Sequence, residues 1–229
     1  MRNAPLLDSA IRYFRSRRMR RFARTFAITD ETRILDVGGA PFNWSLLDVQ
    51  PRVTIVNMPR AREAFDAQFQ SVFADGRALP FPDRSFDIVF SNSVIEHVGS
   101  FESQQKFANE IARVGRSYWV QTPNRSFPVE PHLLTPFLHF LPAPLQRRIA
   151  RKFTVWSLIE RPTPDRWAFY IEHYLRDIHL LTAADLRHLF PGAKIVRERL
   201  GGLTKSLIAV RAVRDRAGST APVPSPEGK

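Results

Sequence analysis

Short β-rich runs alternate with helical stretches from Arg33 onward, and this alternation constrains the fold more than any other feature of the chain. RILDV, VTIVN, SVFA, FDIVFS and SYWVQT are separated by a short helical stretch near Phe42 to Val49, by AREAFDAQF and by FESQQKFANEIARV. Strands that alternate with helices pair in parallel, and the crossover helices lie on both faces of the sheet. Each strand is too apolar to leave one face in water, which requires the same cover. Residues 124–180 break the rhythm with prolines, aromatics and basic residues, and predict an insertion or lid after the fifth strand. The alternation then resumes: Thr182 caps a helix to about Phe190, Pro191 and Gly192 stop it, and AKIVRERL, GG and LTKSLIAVRAV form two strands on a glycine turn. The expected fold is α/β, a doubly wound, mostly parallel seven-stranded sheet with a C-terminal antiparallel hairpin strand.

With 229 residues and 44% hydrophobic content, the chain can bury one core. The expected organisation is a helical arm over residues 1–29, a domain over 30–212 and a Pro-, Gly- and Ser-rich disordered tail over 213–229. The formal net charge is +12, but residues 1–29 hold eight Arg against one Asp, so the body is only mildly basic. Leu7, Ile11, Phe14, Phe22 and Phe26 recur at helical intervals with Arg between them, which predicts a basic amphipathic helix. Cysteine is absent, which removes disulfides, thiolate metal sites and thiol nucleophiles. The N-terminal Arg residues interrupt the apolar run that an export signal needs. The most apolar run, residues 133–145, is broken by His139 and three prolines and falls short of the ~20 residues that span a bilayer. A cytoplasmic location is expected.

The segment RILDVGGAPFNW sets Asp36 at the carboxyl end of the first strand and Gly38 and Gly39 in the turn that opens a helix. Ligands of open α/β sheets bind at that edge. Glycine lets backbone approach a ligand, and a helix N-terminus offers free N–H groups to a carboxylate. Taken alone, the segment also fits a ligand-free tight turn, the lesser of the two readings. VFADGRALPFPDRSFDIVFSNSVIEHV adds a third strand ending in Asp75 and Gly76 and a fourth ending in Ser91 and Asn92, both facing the same cleft.

In their order and spacing, ILDVGG, ADGRALPF and FDIVFSNSVIEHV resemble the class I, Rossmann-like S-adenosylmethionine-dependent methyltransferases of the small-molecule and lipid type, over roughly residues 30–212. The resemblance implies that Asp36 and the backbone of Gly38, Gly39 and Ala40 hold the amino-acid end of S-adenosylmethionine. It implies that Asp75 accepts from the adenine amino group, that Gly76 lies beside the adenine ring and that Asn92 lines the cleft. Two positions depart from the family pattern. Ala40, followed by Pro41, stands where a glycine is usual, and Asn57 stands where an acidic residue meets the ribose hydroxyls. Asn57 reads either as a ribose ligand without charge assistance or as a turn residue. The hairpin over 194–212 also fits the family, whereas a nicotinamide-binding fold would carry G-x-G-x-x-G where this chain has GGAPFN.

Methyl transfer from a sulfonium is an in-line displacement that requires alignment in a dry site, and a base only for some nucleophiles. For a hydroxyl acceptor, a neutral His is a natural proton acceptor. His97 is the first candidate and His132 the second, with Glu96 and Glu130 on the substrate side. Glu96 and His97 would equally serve as a first helical turn, and Glu130 and His132 as lid residues. No metal site is expected, because His139, His173, His179 and His188 lack a spacing that pairs them with carboxylates.

Cytosine C5 methylation is excluded by the absent Cys, and exocyclic base methylation is disfavoured because SNSV replaces the Asn/Asp-Pro-Pro-Tyr motif. The favoured reaction is O-methylation of a small-molecule or lipid- or glycan-linked acceptor. Residues 10–26 and 133–153 mix aromatics and leucines with Arg and Lys, which suits peripheral contact with an anionic membrane at its inner face. Equally, the first helix could cap the cofactor site with its apolar face. The alternative function is a basic RNA- or membrane-binding protein on a non-catalytic methyltransferase-like fold. A nucleic-acid arm would explain residues 12–24 but not an adenine-site Asp75 or a cleft lined by Asp36, Gly38 and Asn92.

Overall fold

The computed structural model describes residues 5–58 and 69–213. Five strands run in parallel: β1 (Arg33–Val37), β2 (Arg52–Asn57), β3 (Gln70–Phe73), β4 (Phe86–Asn92) and β5 (Gly115–Pro123). The insertion contributes a ribbon of β6 (Val129–Glu130) and β7 (Thr135–Pro136). β8 (Lys194–Leu200) and β9 (Leu203–Arg211) form the closing hairpin, and β9 pairs antiparallel with β5, Trp119 opposite Val210. The seven-stranded order β3-β2-β1-β4-β5-β9-β8 reverses between β1 and β4. Such a reversal opens a crevice at the carboxyl ends of the strands. The fold class is the one expected. The helix expected over AREAFDAQF and the tail after Val213 fall largely outside the described residues.

Both sheet faces are buried, so neighbouring residues on a strand enter different cores. Leu35, Val89, Val120 and Leu207 lie under α2 (Phe101–Val114) and α6 (Ala183–Leu189), with Phe107 and Leu186. Ile34, Phe90, Trp119 and Ile208 face the other way, where α1 (Pro5–Phe26) supplies Met19 and Phe22. The Phe22 ring lies 4.8 Å from Phe90 and 5.7 Å from Trp119 at edge-on angles, the favoured geometry for aromatic pairs. This helix is therefore part of the core rather than a detached arm. Among its arginines, Arg18 is buried, 7% exposed. Its guanidinium grips the Glu198 carboxylate at 2.6 and 3.1 Å and reaches Asn92 and Gln121 with the remaining N–H groups. Burying an arginine requires such a bidentate partner.

The insertion leaves and rejoins the sheet at one point, Arg125 N–H donating to the Leu181 carbonyl at 2.9 Å. Between these ends lie the ribbon, α3 (Ala143–Ala150), α4 (Val155–Glu160) and α5 (Pro164–Asp177), around a satellite core of Leu133, Leu138, Ile171 and Tyr174. Among the described residues, no helix is long and apolar enough to cross a membrane.

Candidate active site

The turn after β1 is built around two close approaches. Gly38 has φ +75°, and a Cβ there would stand 2.5 Å from Val94 Cγ2; one on Gly39 would stand 1.8 Å from Asp36 Oδ2. Only glycine fits either position without displacing its neighbour. Asp36 is wholly buried beneath this turn. Its Oδ2 accepts from Trp44 Nε1 at 2.8 Å, while Oδ1 has no partner among the described residues. Burial outweighs the Trp44 hydrogen bond and pushes the carboxyl up to about 7. Ala40 is extended (φ −142°), and the expected helix from Phe42 to Val49 is instead a six-residue 3-10 turn, Pro41–Leu46. Pro41 has no N–H to offer, so this turn is a poorer anion site than an α-helix N-terminus.

A cavity of 540 Å³ opens above the turn, bounded by Gly38, Asn57, Asp75, Gly76, Val94 and His97 among others. Asn57 donates through Nδ2 to the Gly39 carbonyl at 3.0 Å, which ties the end of β2 to the glycine turn. Asp75 is paired with Arg77 at 2.6 Å, and that hydrogen bond holds its carboxyl below the ordinary value. Gly76 rests against Phe107, whose ring would meet a Cβ at 2.7 Å. The structure corrects the placement of Asn92. It follows Ile88 and Phe90 in the two-residue alternation of β4, so it faces α1, and Arg18 takes its side-chain oxygen. Ser93 and Val94 line the cavity instead. A larger cavity of 880 Å³, between Arg33, Arg52 and Gln70, holds none of the candidate site residues.

Opposite the glycine turn the fold assembles a polar wall from distant segments. Glu96 and His97 belong to a single 3-10 turn, Ile95–His97, after β4. Glu96 is wholly buried, and burial pushes its carboxyl up to about 7. Its Oε2 accepts from Thr122 Oγ1 at 3.0 Å, and Oε1 has no partner among the described residues. His132 reaches in from the insertion, its Nε2 3.2 Å from Nε2 of His97 and its Nδ1 2.8 Å from buried Glu130. Burial pulls the His132 imidazole down, but the hydrogen bond and charge of Glu130 outweigh it and leave the pKa raised. His97 falls to about 4, through burial and the neighbouring His132 and His173 imidazoles.

All four acceptor-side residues named from the sequence thus come together. His173 and Asp177 were missed. The His173 ring stacks on His97 at 5.9 Å, its Nδ1 meets Asp177 at 2.9 Å, and Asp177 borders the cavity. Asp177 stands four residues after His173 on α5, so the expectation that His173 lacks a spacing that pairs it with a carboxylate is corrected.

Residues 43–117 match the methyltransferase domain family. The uncharacterized protein Rv1509 of Mycobacterium tuberculosis is 29% identical over 141 residues, which cover 51% of this chain and 46% of that protein. The chain thus spans about half the length of the curated relatives it matches. A Haloferax volcanii chain, from a complex between the Trm112 methyltransferase activator and a candidate methyltransferase, superimposes with a TM-score of 0.51. It shares 14% identity, over 86% of this chain and 87% of that one. A Rhodobacter sphaeroides chain described as a candidate Zn-dependent alcohol dehydrogenase gives 0.52 and 12%, over 82% and 86%. At such identities the superpositions speak for the fold alone.

Residues 43–117 thus resemble a methyltransferase domain, and the sheet order is that of the class I, Rossmann-like S-adenosylmethionine-dependent methyltransferase fold. The orphaned Asp36 Oδ1 and the glycine turn that a Cβ would block both fit that cofactor.

Proposed function

We propose that the protein transfers the methyl group of S-adenosylmethionine to an oxygen atom of a small-molecule or lipid- or glycan-linked acceptor. One observation carries this reading: a single cavity has the glycine turn, Asn57 and Asp75 on one side and His97 on the other. Gly38 and Gly39 would admit the amino-acid end of the cofactor, with Asp36 beneath them as counter-charge to its ammonium group. Asn57, whose amide nitrogen is already engaged, would offer its oxygen to a ribose hydroxyl. Asp75 would accept from the adenine amino group, beside Gly76. When bound, the cofactor would supply a sulfonium methyl to the acceptor oxygen, whose proton would pass to the His97–His132 pair. His97 and His132, the latter held by Glu130, would form the wall that activates the acceptor oxygen.

A lipid-linked acceptor is favoured by the insertion's surface. Phe137, Phe140, Phe153, Leu158 and Phe169 are exposed there, on a segment that also carries Arg147, Arg148, Arg151 and Lys152. Apolar and basic groups together suit an anionic membrane surface. In α1 the apolar Met19 and Phe22 are committed to the core, so membrane contact rests mainly on residues 133–153.

The test has two parts: calorimetric titration with S-adenosylmethionine and S-adenosylhomocysteine, then transfer of a labelled methyl group to lipid, glycolipid and RNA fractions. Binding followed by base-stable label in the lipid or glycan fractions is the expected result. Failure to bind either compound, with salt-dependent retention on RNA or anionic vesicles, would replace the enzyme by the non-catalytic binding protein.

A further inference from the structure

The wall that faces the acceptor brings two imidazole nitrogens together beside an unsatisfied buried carboxylate oxygen. His132 Nδ1 faces the Glu130 carboxylate, which can only accept, so Nδ1 carries the hydrogen and a neutral His132 presents a lone pair at Nε2. That lone pair meets Nε2 of His97 at 3.2 Å. Two ligands of a tetrahedral ion at about 2.0–2.1 Å would lie roughly 3.3 Å apart. The third donor is Glu96: one carboxylate oxygen and the two imidazole nitrogens all lie within 4.8 Å of one another. Closing that set onto one ion requires a contraction of roughly half an ångström. Glu96 is wholly buried and its Oε1 lacks a partner among the described residues, a costly arrangement unless something binds there.

We propose that Glu96, His97 and His132 bind one divalent transition-metal ion of the imidazole-favouring kind, such as Zn²⁺, Co²⁺ or Ni²⁺. Two imidazoles and one carboxylate select these ions over Ca²⁺, which prefers oxygen donors alone. Glu130 completes the arrangement from behind: it accepts from His132 Nδ1, and the Leu133 N–H fixes the same carboxylate at 2.5 Å. A carboxylate that orients a ligating imidazole in this way is a regular feature of metal sites. Three protein ligands leave coordination positions open, and His97 borders the cavity. If the oxygen-methylation reading holds, an ion held by these residues would supply Lewis-acid polarisation of the acceptor hydroxyl and make its proton easier to lose. Chain spacing concealed this site, because His132 lies 35 residues beyond His97 and enters only when the insertion folds back.

The test uses the full chain stripped with a chelator and titrated with Co²⁺ and Zn²⁺, Mg²⁺ serving as control. One ion per chain is expected, with Co²⁺ giving the intense visible absorption of a four- or five-coordinate site. His97→Ala, His132→Ala and Glu96→Gln should each weaken binding by about a hundredfold or more, and Glu130→Gln by about tenfold. X-ray absorption on the zinc-loaded, unmutated chain should count two imidazoles, so the outcome does not depend on any variant folding. Fewer than two imidazoles, or affinity indifferent to Glu130→Gln, overturns the site and leaves direct proton transfer to His97 or His132. S-adenosylhomocysteine binding is measured on the same metal-free sample. Its loss would sink the methyltransferase reading while the metal result still stood.

Discussion

The two walls of the cavity are built in opposite ways. The cofactor wall takes its residues from the ends of adjacent parallel strands, Val37 and Gly38 at the end of β1, Asn57 at the end of β2 and Asp75 beyond β3, with Asp36 buried in β1. Its geometry is backbone geometry, fixed by the sheet and by glycines that admit no substitute. The acceptor wall joins a one-turn segment after β4 to a loop and a helix of the insertion, through side-chain contacts among His97, His132 and His173. Strand ends can be read in order along a chain, whereas side-chain meetings across a long insertion cannot. A wall of the second kind can also be rebuilt for another acceptor without disturbing the cofactor.

The strongest challenge to this contrast is Leu133→Ala, which empties part of the satellite core under His132. It should cost about 2–5 kcal/mol within the insertion, seen as faster amide exchange over residues 130–178. S-adenosylhomocysteine affinity should stay within about twofold. A large loss of cofactor binding would show that the walls are one cooperative unit. Gly38→Ala makes the converse test, because left-handed strain and the Val94 contact together cost about 2–4 kcal/mol. Cofactor affinity should collapse, while the Glu130–His132 contact persists by His resonances in NMR.

Changing pH acts on both walls, since burial raises Glu96 to about 7 as well, but with cofactor affinity as the readout it probes Asp36. The Asp36 pKa is raised from 3.8 to about 7, so the folded chain holds a proton there that the unfolded chain releases. The stabilising contribution is fully present below about pH 4 and is lost as the pH rises to about 7. A cofactor ammonium favours the ionised carboxylate. S-adenosylmethionine affinity should therefore weaken towards about tenfold per unit as the pH falls below 7. A 5′-methylthioadenosine control lacks the amino-acid end and should show little change; equal slopes for both would remove Asp36 from the site. The smallest effect belongs to Asp75→Ala. One hydrogen bond to adenine is worth about 1 kcal/mol, a five- to tenfold loss of affinity by calorimetry. Thermal stability should barely move, since the Asp75–Arg77 pair is partly exposed.

Much of this was legible in the sequence. The alternation of apolar runs gave the parallel strands, and Thr182 with Pro191 and Gly192 bracketed α6. Glycines beside a strand-end Asp marked the cofactor edge. The misreadings share one cause. Asn92 was placed in the cleft by its position at a strand end, but the side-chain alternation of β4 turns it towards α1. Arg18 reads as one more charge of the basic amphipathic helix, and nothing local reveals Glu198, 180 residues away.

The sequence by itself determined the order and direction of the main strands and the backbone chemistry of the cofactor edge, because both follow from residue periodicity and turn stereochemistry within a few positions. Only the tertiary structure decided that α1 belongs to the core, that Arg18 is buried against Glu198, and that Glu96, His97 and His132 share one site. Those facts depend on side chains far apart in the chain, and local propensity carries no information about which distant partners the folded sheet brings together.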